Sequence, residues 1–149
     1  MKLIAKNKKA YFNYEIIETL SAGISLLGSE VKAVKEGRIS LKESYIEIRF
    51  SEMFLLNSHI SPYEPANRFN HDPLRDKKLL LHRREIKRWM GKVKEKGLTI
   101  VPTKVLISEK GLVKVEVALV KGKRTYQKRE VIRERDRDRE MQREMKRFR

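Results

Sequence analysis

Two runs of β-type residues, LTIVPTKVLIS over Leu98–Ser108 and LVKVEVALV over Leu112–Val120, are separated only by Glu109, Lys110 and Gly111. So short a connection joins antiparallel neighbours, because a parallel crossover needs a dozen residues or more. The second run alternates apolar and polar residues, as a strand with one wet face does. Pro102 marks an edge or a bend in the first, since proline brings no N–H to a ladder. The remaining segments have to be arranged around this hairpin.

Upstream, Tyr11–Leu27 is rich in β-branched and aromatic residues and is expected to form one long strand, bent or bulged at Gly23. Met1–Lys9, polar and basic, is expected to be a mobile arm. GSEVKAVKEG, Gly28–Gly37, suits a short helix with Ser29 as N-cap, Glu30 in the first turn, Val31 and Val34 inward, and Gly37 at its end. Ile39–Arg49 is expected as a strand changing face near Ser44, with Phe54–Ile60 as its return arm and Ser51 and Glu52 in the hairpin loop. Ser61–Pro73 holds three of the four prolines and suits an irregular loop.

The stretch Pro73–Gly97 carries ten lysines and arginines against three acids, a net of +7. Leu79, Ile86, Trp89, Met90 and Val93 recur at spacings of three, four and seven, an apolar seam for a helix. Arg84, Lys87, Arg88, Lys92 and Lys96 fall to its sides and back, so one helix docks inward and presents cations outward. The order strand, helix, two strands, helix, two strands gives a mainly β fold: a small antiparallel barrel of the oligonucleotide-binding type, closed by two or three helices. An open α+β sandwich is the other architecture that this order allows.

At 149 residues the chain suits one folded domain with a tail, and its net charge of +16 favours a polyanionic partner, nucleic acid first. The absence of cysteine excludes disulfides and thiolate metal sites and is compatible with a reducing cytoplasm. Lysines at 6, 8 and 9 break any leader-like apolar run, and no segment approaches the ~20 apolar residues of a membrane span. A membrane would have to be met at its surface, and since no expected helix pairs a basic face with a wide, exposed aromatic one, no membrane partner is expected.

Signals for catalysis are weak. His59 lies in an expected strand and is read as a packed residue, while His71 and His82 flank the basic stretch. His71 with Asp72 and His82 with Glu85 are the only pairs a nuclease might use, and no Walker, GxGxxG, GxSxG or metal-ligand spacing is present. No cofactor is expected. From Lys121 the composition changes: KGKRTYQKR holds five cations and no acid, with Tyr126 offering a ring for an unpaired base. VIRERDRDREMQREMKRFR then lacks the apolar residues for a core. Met141, Met145 and Phe148 mark one potential helical stripe, opposed by the like-charged pairs Glu134–Asp138 and Glu140–Glu144. Residues 1–129 are thus expected as the folded body, and 130–149 as a basic tail disordered when free.

Six stretches carry a resemblance: KNKKAYFNYEI (Lys6–Ile16), AGISLLGSEVKAVKEGRISLKESY (Ala22–Tyr45), HISPY (His59–Tyr63), NHDPLRDKKLLLHRREI (Asn70–Ile86), KGLTIVP (Lys96–Pro102) and VALVKGKRTYQKRE (Val117–Glu130). In this order they resemble the successive motifs of the SsrA-binding protein (small protein B) family, over nearly the whole chain. The resemblance implies a non-enzymatic, cytoplasmic, monomeric RNA-binding protein. Its partners would be the tRNA-like domain of tmRNA, elongation factor Tu carrying aminoacylated tmRNA, and the small-subunit decoding centre of stalled ribosomes, where the tail acts in trans-translation. It further implies RNA contacts at Asn7, Lys8, Lys9 and Tyr14, and at Arg75, Lys77, Lys78, Leu80, His82 and Arg83. Gly122, Lys123, Tyr126, Lys128 and Arg129 correspond to the decoding-centre segment. Ser21 and Gln127 stand where the family usually carries an acid, so a carboxylate role has no counterpart at these two places.

Overall fold

The computed structural model describes residues 1–65 and 70–122. The expected hairpin forms between β8 (Thr99–Ile107) and β9 (Val113–Gly122), paired antiparallel from Thr99↔Val120 to Ile107↔Val113. Pro102 stands at a register shift of β8, so it bends the strand; β1 (Lys2–Lys6) pairs with the other side of β8 only over Lys104–Ile107, and Pro102 lies just beyond that ladder. The expected N-terminal arm is therefore ordered. After β1, helix α1 (Lys8–Asn13) takes the first residues of the expected long strand, and β2 occupies only Tyr14–Ile24. Asn7 caps α1, its Oδ1 accepting from the Ala10 N–H while its Nδ2 donates to the Pro102 carbonyl at 2.9 Å. Tertiary contact overrides the aromatic composition here: Ala10 packs with Val101, Ala118 and Val120, forming a second small core beneath α1. This also accounts for the end of β9, where Val117, Ala118, Leu119 and Val120 are all buried. Alternation stops where both sheet faces are covered.

The bulge of β2 lies between Ile16 and Glu18; it is not at Gly23. Helix α2 (Gly28–Lys35) follows, with Leu27 as N-cap, so Ser29 sits inside the first turn. Glu30 accepts from the Leu27 N–H at 2.7 Å. The single strand expected over Ile39–Arg49 is split by a turn into β3 (Ile39–Ser40) and β4 (Tyr45–Arg49), and its return arm likewise into β5 (Glu52–Leu56) and β6 (His59–Ile60). β3 and β6 pair as a separate ribbon. The basic stretch opens as strand β7 (Lys77–Leu80), and helix α3 covers only Arg83–Lys96. Leu79 thus reaches the core from a strand. Of the expected seam Ile86 and Trp89 are buried, Val93 packs partly buried against the core, and Met90 is exposed. Gly97 ends α3 at φ 63°, a left-handed C-cap that suits glycine.

The large sheet runs β1-β8-β9-β2-β7-β5-β4, every pair antiparallel. The fold is mainly β with three helices, as expected, but the barrel is not closed. β1 and β4 end the sheet, and no ladder joins them among the described residues. The sheet curls until β4 lies against β8, and the interior is filled by side chains: Trp89 and Ile86 from α3, Ala33 and Val34 from α2, and Met53, Leu55, Leu79, Val105 and Val115 from the strands. β2 holds β9 along its whole length but β7 only through Gly23 and Ile24, so the sheet splays there.

Candidate nucleic-acid interface

Strand β7 decides which cations face out. Residues two apart share a face of a strand, and Leu79 belongs to the core, so Lys77 goes inward with it while Lys78 and Leu80 go outward. Lys77 is wholly buried, its ammonium donating to the Ser58 carbonyl (3.0 Å) and Oγ (2.9 Å). Burial pushes its pKa down to about 8. It has no path to a phosphate and is a structural cation. Arg75 is also committed internally: Nη2 lies 2.6 Å from the buried Glu30 carboxylate and 3.1 Å from the Ser25 carbonyl, and Nη1 donates to the Asp76 carbonyl at 3.2 Å.

Lys78, Leu80, His82 and Arg83 converge with Ser21, Gly23, the Phe50–Ser51 turn and Lys114 on an open groove of about 760 Å³. Gly23 allows the close approach of Leu80, because a Cβ there would stand 3.3 Å from Leu80 Cβ, tighter than most such contacts. Lys78 pairs with Glu52 at 3.0 Å, and Glu85 accepts from the His82 backbone N–H at 3.2 Å. Arg83 and Lys114 have no carboxylate partner among the described residues. The groove therefore combines cations with the exposed apolar groups Leu80 and Phe50. Beside it, Arg84 and Lys87 are exposed on α3. Arg88 (2.6 Å) and Lys92 (3.1 Å) instead clasp Glu18 of β2 and pin the helix to the sheet. Burial pushes the Glu18 carboxyl up, but the Lys92 hydrogen bond and the two cations outweigh it and hold the group below the usual carboxylate range.

The histidines do not form the nuclease-like pairs. His71 is buried between Ser29 Oγ (Nδ1, 2.8 Å) and the Ile60 carbonyl (Nε2, 2.9 Å). A carbonyl only accepts, so Nε2 carries the proton. His59, expected to be packed, is exposed, and His82 is the exposed N-cap of α3. Among the described residues no cluster of three or more His, Cys, Asp or Glu is placed to hold a metal, and no helix is long and apolar enough to cross a membrane.

The other expected RNA residues lie elsewhere. Asn7 is engaged as the α1 cap, Lys8 is exposed, Lys9 pairs with Glu43 at 2.8 Å, and Tyr14 packs half-buried on the small core. Tyr14 pairs with Gly122, whereas Gly23 pairs with Lys114, so these two groups occupy opposite ends of the β2–β9 ladder. At ~3.4 Å per residue the separation is roughly 25–30 Å. Lys123, Tyr126, Lys128, Arg129 and the expected tail Glu130–Arg149 lie outside the described residues. Lys114 and Phe50 were missed as site residues: Lys114 is the outward position of an alternating strand, and Phe50 is a large apolar residue where a tight turn calls for Asn or Gly.

The family model described as SmpB protein matches residues 4–147. The chain belongs to the SmpB family. SsrA-binding proteins of Persephonella marina and Symbiobacterium thermophilum are 57% and 55% identical, over 91% and 89% of this chain and 89% and 84% of theirs. That of Caldicellulosiruptor bescii is 51% identical over 99% of this chain and 93% of its own. A solved chain from the structure called "tmRNA-SmpB: a journey to the center of the bacterial ribosome" superposes with a TM-score of 0.67. It is 43% identical and covers 81% of this chain and 85% of that one. Family membership and the mainly β fold thus agree with the resemblance carried by the six motifs.

Proposed function

We propose that this protein binds the tRNA-like domain of tmRNA and takes it to stalled ribosomes for trans-translation, in the cytoplasm, without catalysing a reaction. The relatives are SsrA-binding proteins and the solved neighbour comes from a tmRNA–SmpB ribosome structure, which supports the RNA and the setting. The geometry supports a division of labour. The groove at Leu80, Arg83 and Lys114 lies at one end of the β2–β9 ladder, and Gly122, the first residue of the expected decoding-centre segment, lies at the other. That separation is the observation that carries the reading, because a protein bridging two RNA bodies has to present two distant surfaces.

In this reading residues 1–129 form the RNA-binding body. The groove grips folded RNA through phosphates and shape, since a structured RNA hides its base edges in a deep groove. Gly122, Lys123, Tyr126, Lys128 and Arg129 meet the decoding centre, and 130–149 enter the mRNA channel. The complex arrives as one protein monomer with aminoacylated tmRNA and elongation factor Tu. Deleting Glu130–Arg149 is expected to leave tmRNA affinity unchanged in a gel shift and to abolish peptide tagging on stalled ribosomes. Loss of affinity in the deletion, or equal affinity of the full chain for tmRNA and an arbitrary transcript, overturns it.

A further inference from the structure

The β4–β5 connection consists of Phe50 and Ser51 alone, between the paired residues Arg49 and Glu52. Both have positive φ, 50° and 62°, as a type I′ turn requires. Such turns favour Asn-Gly because L side chains resist this backbone region, and Phe is among the poorer choices. Among the described residues no packing offsets the strain: Phe50 is 101% exposed, so its ring gains no burial. The nearby Arg49 guanidinium is engaged elsewhere, on Glu47, on Asp76 and over the Phe54 ring. A bare aromatic ring thus stands on the rim of the groove that also holds Lys78, Leu80, Arg83 and Lys114.

We propose that Phe50 is a stacking residue, its ring seating an unpaired base of the RNA whose phosphates lie against Lys78, Arg83 and Lys114. A ring among cations suits a nucleotide: the cations neutralise the backbone and the π face accepts any base, independent of sequence. A purely apolar protein partner would leave those charges uncovered. This inference rests on the RNA-binding reading above and adds to it a contact that carries no charge.

The test is binding of the full-length chain to a transcript of the tmRNA tRNA-like domain, with Phe50→Ala, Phe50→Leu, Phe50→Gly and Phe50→Trp beside the parent, as a function of salt. Ala, Leu and Gly variants are expected to bind roughly five- to hundredfold more weakly, and Trp to bind as well as Phe or better. The slope of log affinity against log salt stays that of the parent, because no cation is removed. Phe50→Gly is expected to melt at a higher temperature than the parent while binding worse, since glycine relieves the turn. This separates a contact from a fold defect. Equal affinity of parent and Phe50→Ala, full retention in Phe50→Leu, or equal weakening in Phe50→Trp overturns stacking and leaves the RNA reading standing. A parent that does not prefer the tRNA-like domain over an arbitrary transcript overturns both.

Discussion

The carboxylate of Glu30, wholly buried in the first turn of α2, receives the guanidinium of Arg75 at 2.6 Å, across 45 residues of sequence. This pair ties the segment entering β7 to the helix behind it, and so fixes where Lys78, Leu80 and Arg83 emerge.

Glu30→Gln keeps the shape but leaves Arg75 without a counter-charge. A wholly buried pair broken on one side costs about 3–5 kcal/mol. Arg75 is about a third exposed, which lowers the expected loss to roughly 2–3 kcal/mol. A shift of the urea midpoint with unchanged slope is the measurement, and an unshifted midpoint contradicts the role assigned to the pair.

Lys77 makes stability depend on alkaline pH. Its folded pKa, about 8, lies below the 10.5 of an unfolded lysine. Between these values the unfolded state binds more protons, so stability rises with pH across that window and is flat on either side. The gain is of order 3 kcal/mol. Lys77→Met removes the titration, so the difference in unfolding free energy between parent and variant should grow in the parent's favour from pH 8 to 10.5. A pH-independent difference rules it out.

Charge removal in the groove separates surface cations from buried ones. Arg83→Gln and Lys114→Gln are each expected to weaken RNA binding whatever its sequence, and to lower the magnitude of the salt slope by about one. Lys77→Met should leave the slope unchanged, although it also deletes a positive charge. Equal slopes for all three would show that the groove does not meet phosphates.

Space at Gly23 is tight, and a Cβ there would require Leu80 to give by a few tenths of an ångström. A valine there forces its side chain into Leu80, whose Cβ already lies 3.3 Å from the position a Cβ would take. Overpacking in a dense core costs about 1–3 kcal/mol, and with Leu80 half exposed the expected cost is about 1 kcal/mol. Because the obstruction sits where β2 meets β7, Gly23→Val should lower thermal stability and also impair RNA binding by displacing Leu80. Thermal melts alongside gel shifts check both.

Much of the architecture was legible because it is local. The β8–β9 hairpin follows from two strand-period runs and a three-residue turn, α3 from the Ile86–Trp89–Val93 spacing and Gly97, and the ordered motifs already pointed to the family. The charge run could not separate its own members. Lys77 and Lys78 are adjacent and chemically alike, and only the register against β5 sends one into the core and the other to the surface. Reading the segment as helix from its start hid that alternation.

What the sequence by itself determined is short-range: periodicity, turns, composition and the polycationic character, each set by residues within a few positions of one another. The tertiary structure alone decided that the N-terminal residues are ordered, that His71 serves Ser29 and Ile60, that the sheet remains open, and that Gly23, Phe50, Leu80 and Lys114 share one groove. Those facts depend on contacts between segments tens of residues apart. Whether such segments meet is settled by burial and register over the whole sheet, which no local window contains.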